Sequence, residues 1–156
     1  MLHAFWRRLR HGERGFTLIE LLIVVAIIAI LAAILIPNFL RARAQSQVSA
    51  TKGNMKNLAT ALESYFVDKN SYPAGGGGQS ATTPPAGLDA LDPDYIRAVP
   101  RDPCTNEYYA YTVTGSAPDD YTLSIAFPAG NRCDPLIGTT SDTPDITYQP
   151  GGGLSP

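Results

Sequence analysis

Residues 16–36, "FTLIELLIVVAIIAILAAILI", form an apolar run of twenty-one residues with a single charge, Glu20. At about 1.5 Å of rise per residue such a run reaches about 31 Å, the thickness of a bilayer core. It is too long for the apolar core of an ordinary cleaved signal peptide, usually about 7–15 residues. The run therefore predicts a membrane-spanning helix. A carboxylate inside such a span is costly. Either Glu20 sits close enough to the interface to reach water, or it has a partner that the helix alone does not supply.

What flanks the run narrows the choice of environment. Residues 1–15 are short and basic, with Arg7, Arg8, Arg10 and Arg14. After the run the chain turns polar but keeps a helical pattern to about residue 70. Val48, Thr51, Met55, Leu58, Leu62 and Tyr65 recur at steps of three and four, which puts them on one face. Alanines between them favour helix. Pro37 and Gly53 are expected as bends. The stripe needs a packing partner, for which a sheet is expected. One helix over residues 16–70 would be about 80 Å long, too long for residues 71–156 to bury. Its first half must meet lipid or other copies of itself. Arg41, Arg43, Lys52 and Lys56 follow the run as Arg7 to Arg14 precede it, so flanking cations do not set its orientation.

"NSYP", residues 70–73, ends the helix. The glycine-rich stretch "AGGGGQSATTPPAG" is a flexible loop by composition. Residues 88–103 suggest a short helical turn and irregular chain. "EYYAYTV" and "YTLSIAF" alternate apolar residues and predict an antiparallel hairpin, with "DITY" as a third strand. The domain reading is a leader over 1–15, a membrane or core helix over 16–37, an amphipathic helix over 38–70, a head over 71–149 and a flexible tail over 150–156.

Charge divides the same way. Residues 1–69 carry nine Lys/Arg against four Asp/Glu, and residues 70–156 carry three against ten. The acidic half lacks the clustered cations that a nucleic-acid surface needs. Cys104 and Cys133 are the two cysteines, too few for a zinc motif. Free thiols are expected if this half is cytoplasmic, and a disulfide if it is exported. Both histidines, His3 and His11, precede the apolar run. A chain cut after residue 15 has none, which argues against Ser-His or Cys-His catalysis.

"RGFTLIELLIVVAIIAILAAILIPNF", residues 14–39, closely resembles the N-terminus of type IV pilins and of the pseudopilins of type II secretion. The resemblance covers about a quarter of the chain. It implies cleavage between Gly15 and Phe16 by a membrane-embedded prepilin peptidase, which also N-methylates Phe16. It makes Glu20 the acidic assembly residue and Pro37 the family's helix proline. A new amine on Phe16 has a reference pKa of about 7.7–8.0 and is largely cationic at neutral pH. In a stack of helices it can meet Glu20 of a neighbour, so that misregistered copies leave charges unpaired.

More loosely, "DKNSYP", "LDALDPDYIRAVPRDP" and the two strand motifs resemble the globular region of these proteins. The resemblance implies an α+β pilin fold, a long N-terminal helix whose second half packs on a small antiparallel sheet. "CDPLIGTTSDTPDITY" faintly resembles the calcium loop of major pseudopilins. Asp134, Asp142 and Asp145 are then candidate hard-oxygen ligands, with a solvated acidic loop as the alternative. No other cofactor is expected.

The implied function is a structural subunit of a pilus filament, serving adhesion, twitching or DNA uptake, and not an enzyme. The alternatives are a secretion pseudopilus subunit and an extracytoplasmic binding domain on a signal anchor. The implied partners are copies of the chain, the peptidase/methyltransferase, an inner-membrane assembly platform and the lipid bilayer. No direct nucleic-acid site is evident. The implied location is the bacterial inner membrane with the head outside the cytoplasm, then a pilus or periplasmic pseudopilus.

Overall fold

The structure is a computed structural model that describes residues 15–114, 120–128, 133 and 146–155. Helix α1, Leu18–Lys69, runs 52 residues and continues through both Pro37 and Gly53. Pro37 removes one backbone donor, and the Asn38 side chain binds the Ile34 carbonyl one turn back at 3.1 Å. The helix stops where Asn70 takes a left-handed φ of 54°, its N–H bonded to the Phe66 carbonyl at 2.7 Å. The chain forms two compact units, Met1–Phe39 and Leu40–Pro156.

In the first unit nothing among the described residues covers the apolar face. Phe16, Leu18, Ile19, Leu21 to Val25, Ile27, Ile28, Ile30, Leu31 and Ile34 to Ile36 are all exposed or nearly so. The helix is long and apolar enough to cross a membrane, and its most apolar window is not buried within the chain.

In the second unit α1 presents Thr51, Met55, Leu58 and Leu62 to the core, fully buried, with Val48 and Tyr65 packed at its margin. This is the expected stripe, widened by Ala44, Ala59 and Ala61. A four-stranded antiparallel sheet in the order β1-β2-β3-β4 completes the unit: β1 Ala110–Thr114, β2 Asp120–Ile125, β3 Ile146–Gln149 and β4 Gly153–Ser155. Tyr121, Leu123, Ile125 and Phe127 are buried, as their alternation predicts. The α+β class and the helix-plus-sheet architecture stand.

Three local expectations change. The first strand begins at Ala110 rather than at Glu107, because Tyr108 pairs with Ser80 and Arg101 outside the sheet. The glycine-rich stretch lies along the free edge of β1: Gly77 N–H bonds the Tyr111 carbonyl at 2.8 Å and Tyr111 N–H returns the bond at 3.0 Å. Gly87 closes this segment at φ +98°, where a Cβ would come within 2.6 Å of the Tyr111 ring. Lastly, the tail expected to be flexible supplies β4, with Tyr148 opposite Leu154. Gly151 and Gly153 at positive φ turn the chain back onto β3.

Candidate assembly site

Residues 15–17 lie outside any helix or strand and Leu18 opens α1, so Thr17, whose carbonyl accepts from the Leu21 N–H at 3.2 Å, occupies the helix N-cap. The first turn of a helix has unpaired N–H groups that a side chain must meet. Here the Glu20 N–H donates to the Thr17 hydroxyl at 3.3 Å. In return Glu20 Oε2 accepts from the Thr17 N–H at 2.9 Å and from its hydroxyl at 2.7 Å. This is a reciprocal capping box. Sequence reasoning found Glu20 and missed Thr17, although the signal was present as a threonine three residues before a glutamate at the head of an apolar run.

The box changes the reading of Glu20. Its carboxylate already has two donors within its own chain. One oxygen is used by both, and the other has no partner among the described residues. Glu20 can thus enter an apolar phase half satisfied and still accept a cation from outside. Phe16 is 75% exposed and directly precedes the cap. At Gly15 a Cβ would meet nothing within 4 Å, so this fold does not demand glycine there. Pro37 lies within α1 and carries no further contact that assigns it a role.

The second constellation is the Cys104–Cys133 disulfide, with Cα atoms 5.9 Å apart. Both cysteines are buried, which places the pair in the core of the second unit. Asp102, only 1% exposed, organises its surroundings. Its Oδ2 accepts from Cys104 N–H at 2.9 Å, Thr105 N–H at 2.7 Å and the Thr105 hydroxyl at 3.1 Å. Its Oδ1 accepts from the buried Thr51 hydroxyl on α1. Four donors make this carboxylate tolerable in the interior, and they tie the disulfide loop to the helix. Sequence reading missed Asp102, since an Asp beside a proline reads as a solvated turn.

A cluster of hydroxyls stands near the C-terminal end of α1. Tyr72 donates to both Glu63 oxygens at 3.1 Å, and Tyr121 reaches Oε1 at 3.5 Å. Burial first, and Glu63 second, push the Tyr72 hydroxyl up to about 12. Burial likewise raises Tyr109, Tyr111 and Tyr121. The calcium candidates Asp134, Asp142 and Asp145 lie outside the described residues.

Comparison with known proteins agrees with this geometry. The prokaryotic N-terminal methylation motif matches residues 10–36, and the family of type II secretion system protein G matches residues 38–135. The type IV major pilin protein PilA of Myxococcus xanthus is 57% identical over 65 residues, which are 42% of this chain and 30% of that pilin. The type II secretion system core protein G of Pseudomonas aeruginosa is 36% identical over 104 residues, 64% of this chain and 73% of that protein. The type IV wide pilus major component PilA4 of Thermus thermophilus is 52% identical over 61 residues, 39% of this chain and 47% of that protein. This chain thus spans less than half the length of either pilus protein.

Proposed function

Because the chain belongs to the family of type IV pilins and type II secretion pseudopilins, we propose that it is a structural subunit of a type IV pilus. The observation that carries this reading is the uncovered apolar helix headed by the Thr17–Glu20 box. Such a surface needs lipid before assembly and copies of itself afterwards. The Phe16 amine released by prepilin peptidase then meets the free oxygen of Glu20 on a neighbour. N-methylation keeps its charge. Burial of that pair between helices makes a misregistered neighbour unfavourable. The head stays outside the inner membrane, where the Cys104–Cys133 bond forms in an oxidising compartment.

Two features support a pilus over a secretion pseudopilus. The pilus relatives share more identity with this chain, over shorter segments, than the secretion relative does. The disulfide also suits a head exposed outside the cell. The pseudopilus remains the second reading, favoured by the family match over residues 38–135. Electron microscopy of cells lacking the chain, with a parallel assay of exported protein, separates them. Loss of long surface filaments with normal export supports the pilus. Failed export with unchanged surface filaments overturns it.

A further inference from the structure

Between residues 38 and 62 the chain has four cations, Arg41, Arg43, Lys52 and Lys56, and no carboxylate. At about 100° per residue Arg41, Lys52 and Lys56 fall within about 60° of one another on one flank of α1. All three are exposed, and so is Arg43 on another side of the helix. None of these side chains bonds to a carboxylate among the described residues. From residue 63 onward the described residues hold eight carboxylates and three cations. Two of the carboxylates, Asp68 and Asp94, flank Tyr95 near the far end of α1, and a third, Asp92, is exposed close by in the chain. Tyr95 donates to Asp68 Oδ2 at 3.1 Å, and Asp94 bears electrostatically on the same hydroxyl. Asp92 closes the 3-10 turn Asp89–Leu91 two residues before Asp94. Asp68, Asp92 and Asp94 are exposed, with Lys69 and Arg97 as exposed cations beside them.

We propose that Lys52 and Lys56, on the cationic flank of α1, dock on the Asp68, Asp92 and Asp94 cluster of a second copy of the chain. The inference rests on the filament reading above and adds a contact that the Glu20 end does not provide. Lys56 and Lys52 precede Asp68 by twelve and sixteen residues, so the two copies are offset by about 18–24 Å along the helix. A Phe16–Glu20 contact spans four residues, about 6 Å, so the two contacts engage different neighbours. Single exposed pairs contribute little. Repeated along a filament they select register, because any other offset sets like charges together or leaves them unpaired. An anionic membrane surface is the competing partner for the cations. It fits less well, since Arg41 to Lys56 extends over about 22 Å of helix while the field of a charged surface fades within about 8–10 Å.

The test uses filaments assembled from a mixture of isotopically light and heavy full-length chains. A zero-length carbodiimide reagent should link Lys52 or Lys56 of one copy to Asp68, Asp92 or Asp94 of a differently labelled copy. Lys52→Glu with Lys56→Glu should cut filament yield at least about fivefold, as should Asp92→Lys with Asp94→Lys, through like-charge apposition. Combining all four should restore yield to within about twofold, which loss of folding in either pair would not allow. Lys52→Gln with Lys56→Gln should lower yield in the same direction with less risk to the fold. Cross-links confined to single copies, unchanged yields or failed restoration overturn this contact while wild-type filaments remain normal. The same holds if the Lys52/Lys56 variants lose only binding to phosphatidylglycerol vesicles, which assigns the cations to lipid. A wild-type chain processed at Phe16 that forms no filament overturns the filament reading and this contact with it.

Discussion

Glu20 Oε2 accepts hydrogen bonds from both the backbone N–H of Thr17, at 2.9 Å, and the Thr17 hydroxyl, at 2.7 Å. In the filament proposed above, one carboxylate would serve two states. Within a single chain it completes the helix start, and in that proposal its second oxygen would receive the Phe16 amine of a neighbour.

Glu20→Gln should keep the cap, since an amide oxygen still accepts from Thr17, but lose the charge. Filaments should become scarce while the head folds as before and membrane levels hold. Thr17→Val should do the reverse, fraying the first turn while leaving the carboxylate charged and filaments reduced less. Electron microscopy of sheared filaments at matched membrane levels reads both. Wild-type yields from Glu20→Gln would show that the charge has no role in assembly.

Processing should be sensitive to bulk at residue 15 for reasons outside this fold. A Cβ at Gly15 meets open space here, so Gly15→Ala should be tolerated and Gly15→Leu should block cleavage through the peptidase's own fit. Mass spectrometry of filaments should find N-methyl-Phe16 as the first residue. Assembled subunits that begin at Met1 would overturn the assignment.

The disulfide closes a loop with a sequence separation of 29. In the chain-entropy model its loss costs about 3–4 kcal/mol. Cys104→Ser with Cys133→Ser should lower the Tm of the exported protein by several degrees or more. Thiol alkylation without reductant should label neither cysteine in the wild-type chain. Unchanged melting would show that the loop is held by other contacts.

Asp102→Ala should be as damaging as loss of the disulfide. It strips acceptors from the Thr51 hydroxyl, Cys104 N–H and Thr105 N–H in a buried setting. The expected cost is about 3 kcal/mol. Chemical denaturation should show it as a lower midpoint. A Thr51→Val, Asp102→Ala double variant should lose less than the sum of the two singles, because each breaks the same bond.

Alkaline pH should unfold the head. The Tyr72 hydroxyl is held near 12 in the fold, against about 10 in an unfolded chain. Tyr109, Tyr111 and Tyr121 shift in the same direction. Raised folded-state values mean that the stabilisation is full below about pH 10 and is lost as pH rises toward 12. Ultraviolet titration should show Tyr72, Tyr109, Tyr111 and Tyr121 as a cooperative late group coinciding with loss of circular dichroism. Smooth titration of all tyrosines near pH 10 in folded protein would contradict the burial.

The membrane-length helix, the stripe on its second half and the hairpin faces were legible in the linear chain. Each is a periodicity or a run, and each states a demand for burial that holds wherever the segment goes. The Thr17–Glu20 box was equally local and was simply not read. Other features depend on partners far along the chain. Asp102 is acceptable in the core because Thr51, on a helix fifty-one residues earlier, delivers a hydroxyl to it. "AGGGG" is held because its backbone finds the edge of β1 at Tyr111, and Gly153–Ser155 is a strand because β3 offers an edge there. Backbone groups of glycine and small polar residues carry no apolar signal, so composition assigns them to loops. Tertiary pairing supplies the hydrogen bonds that order them.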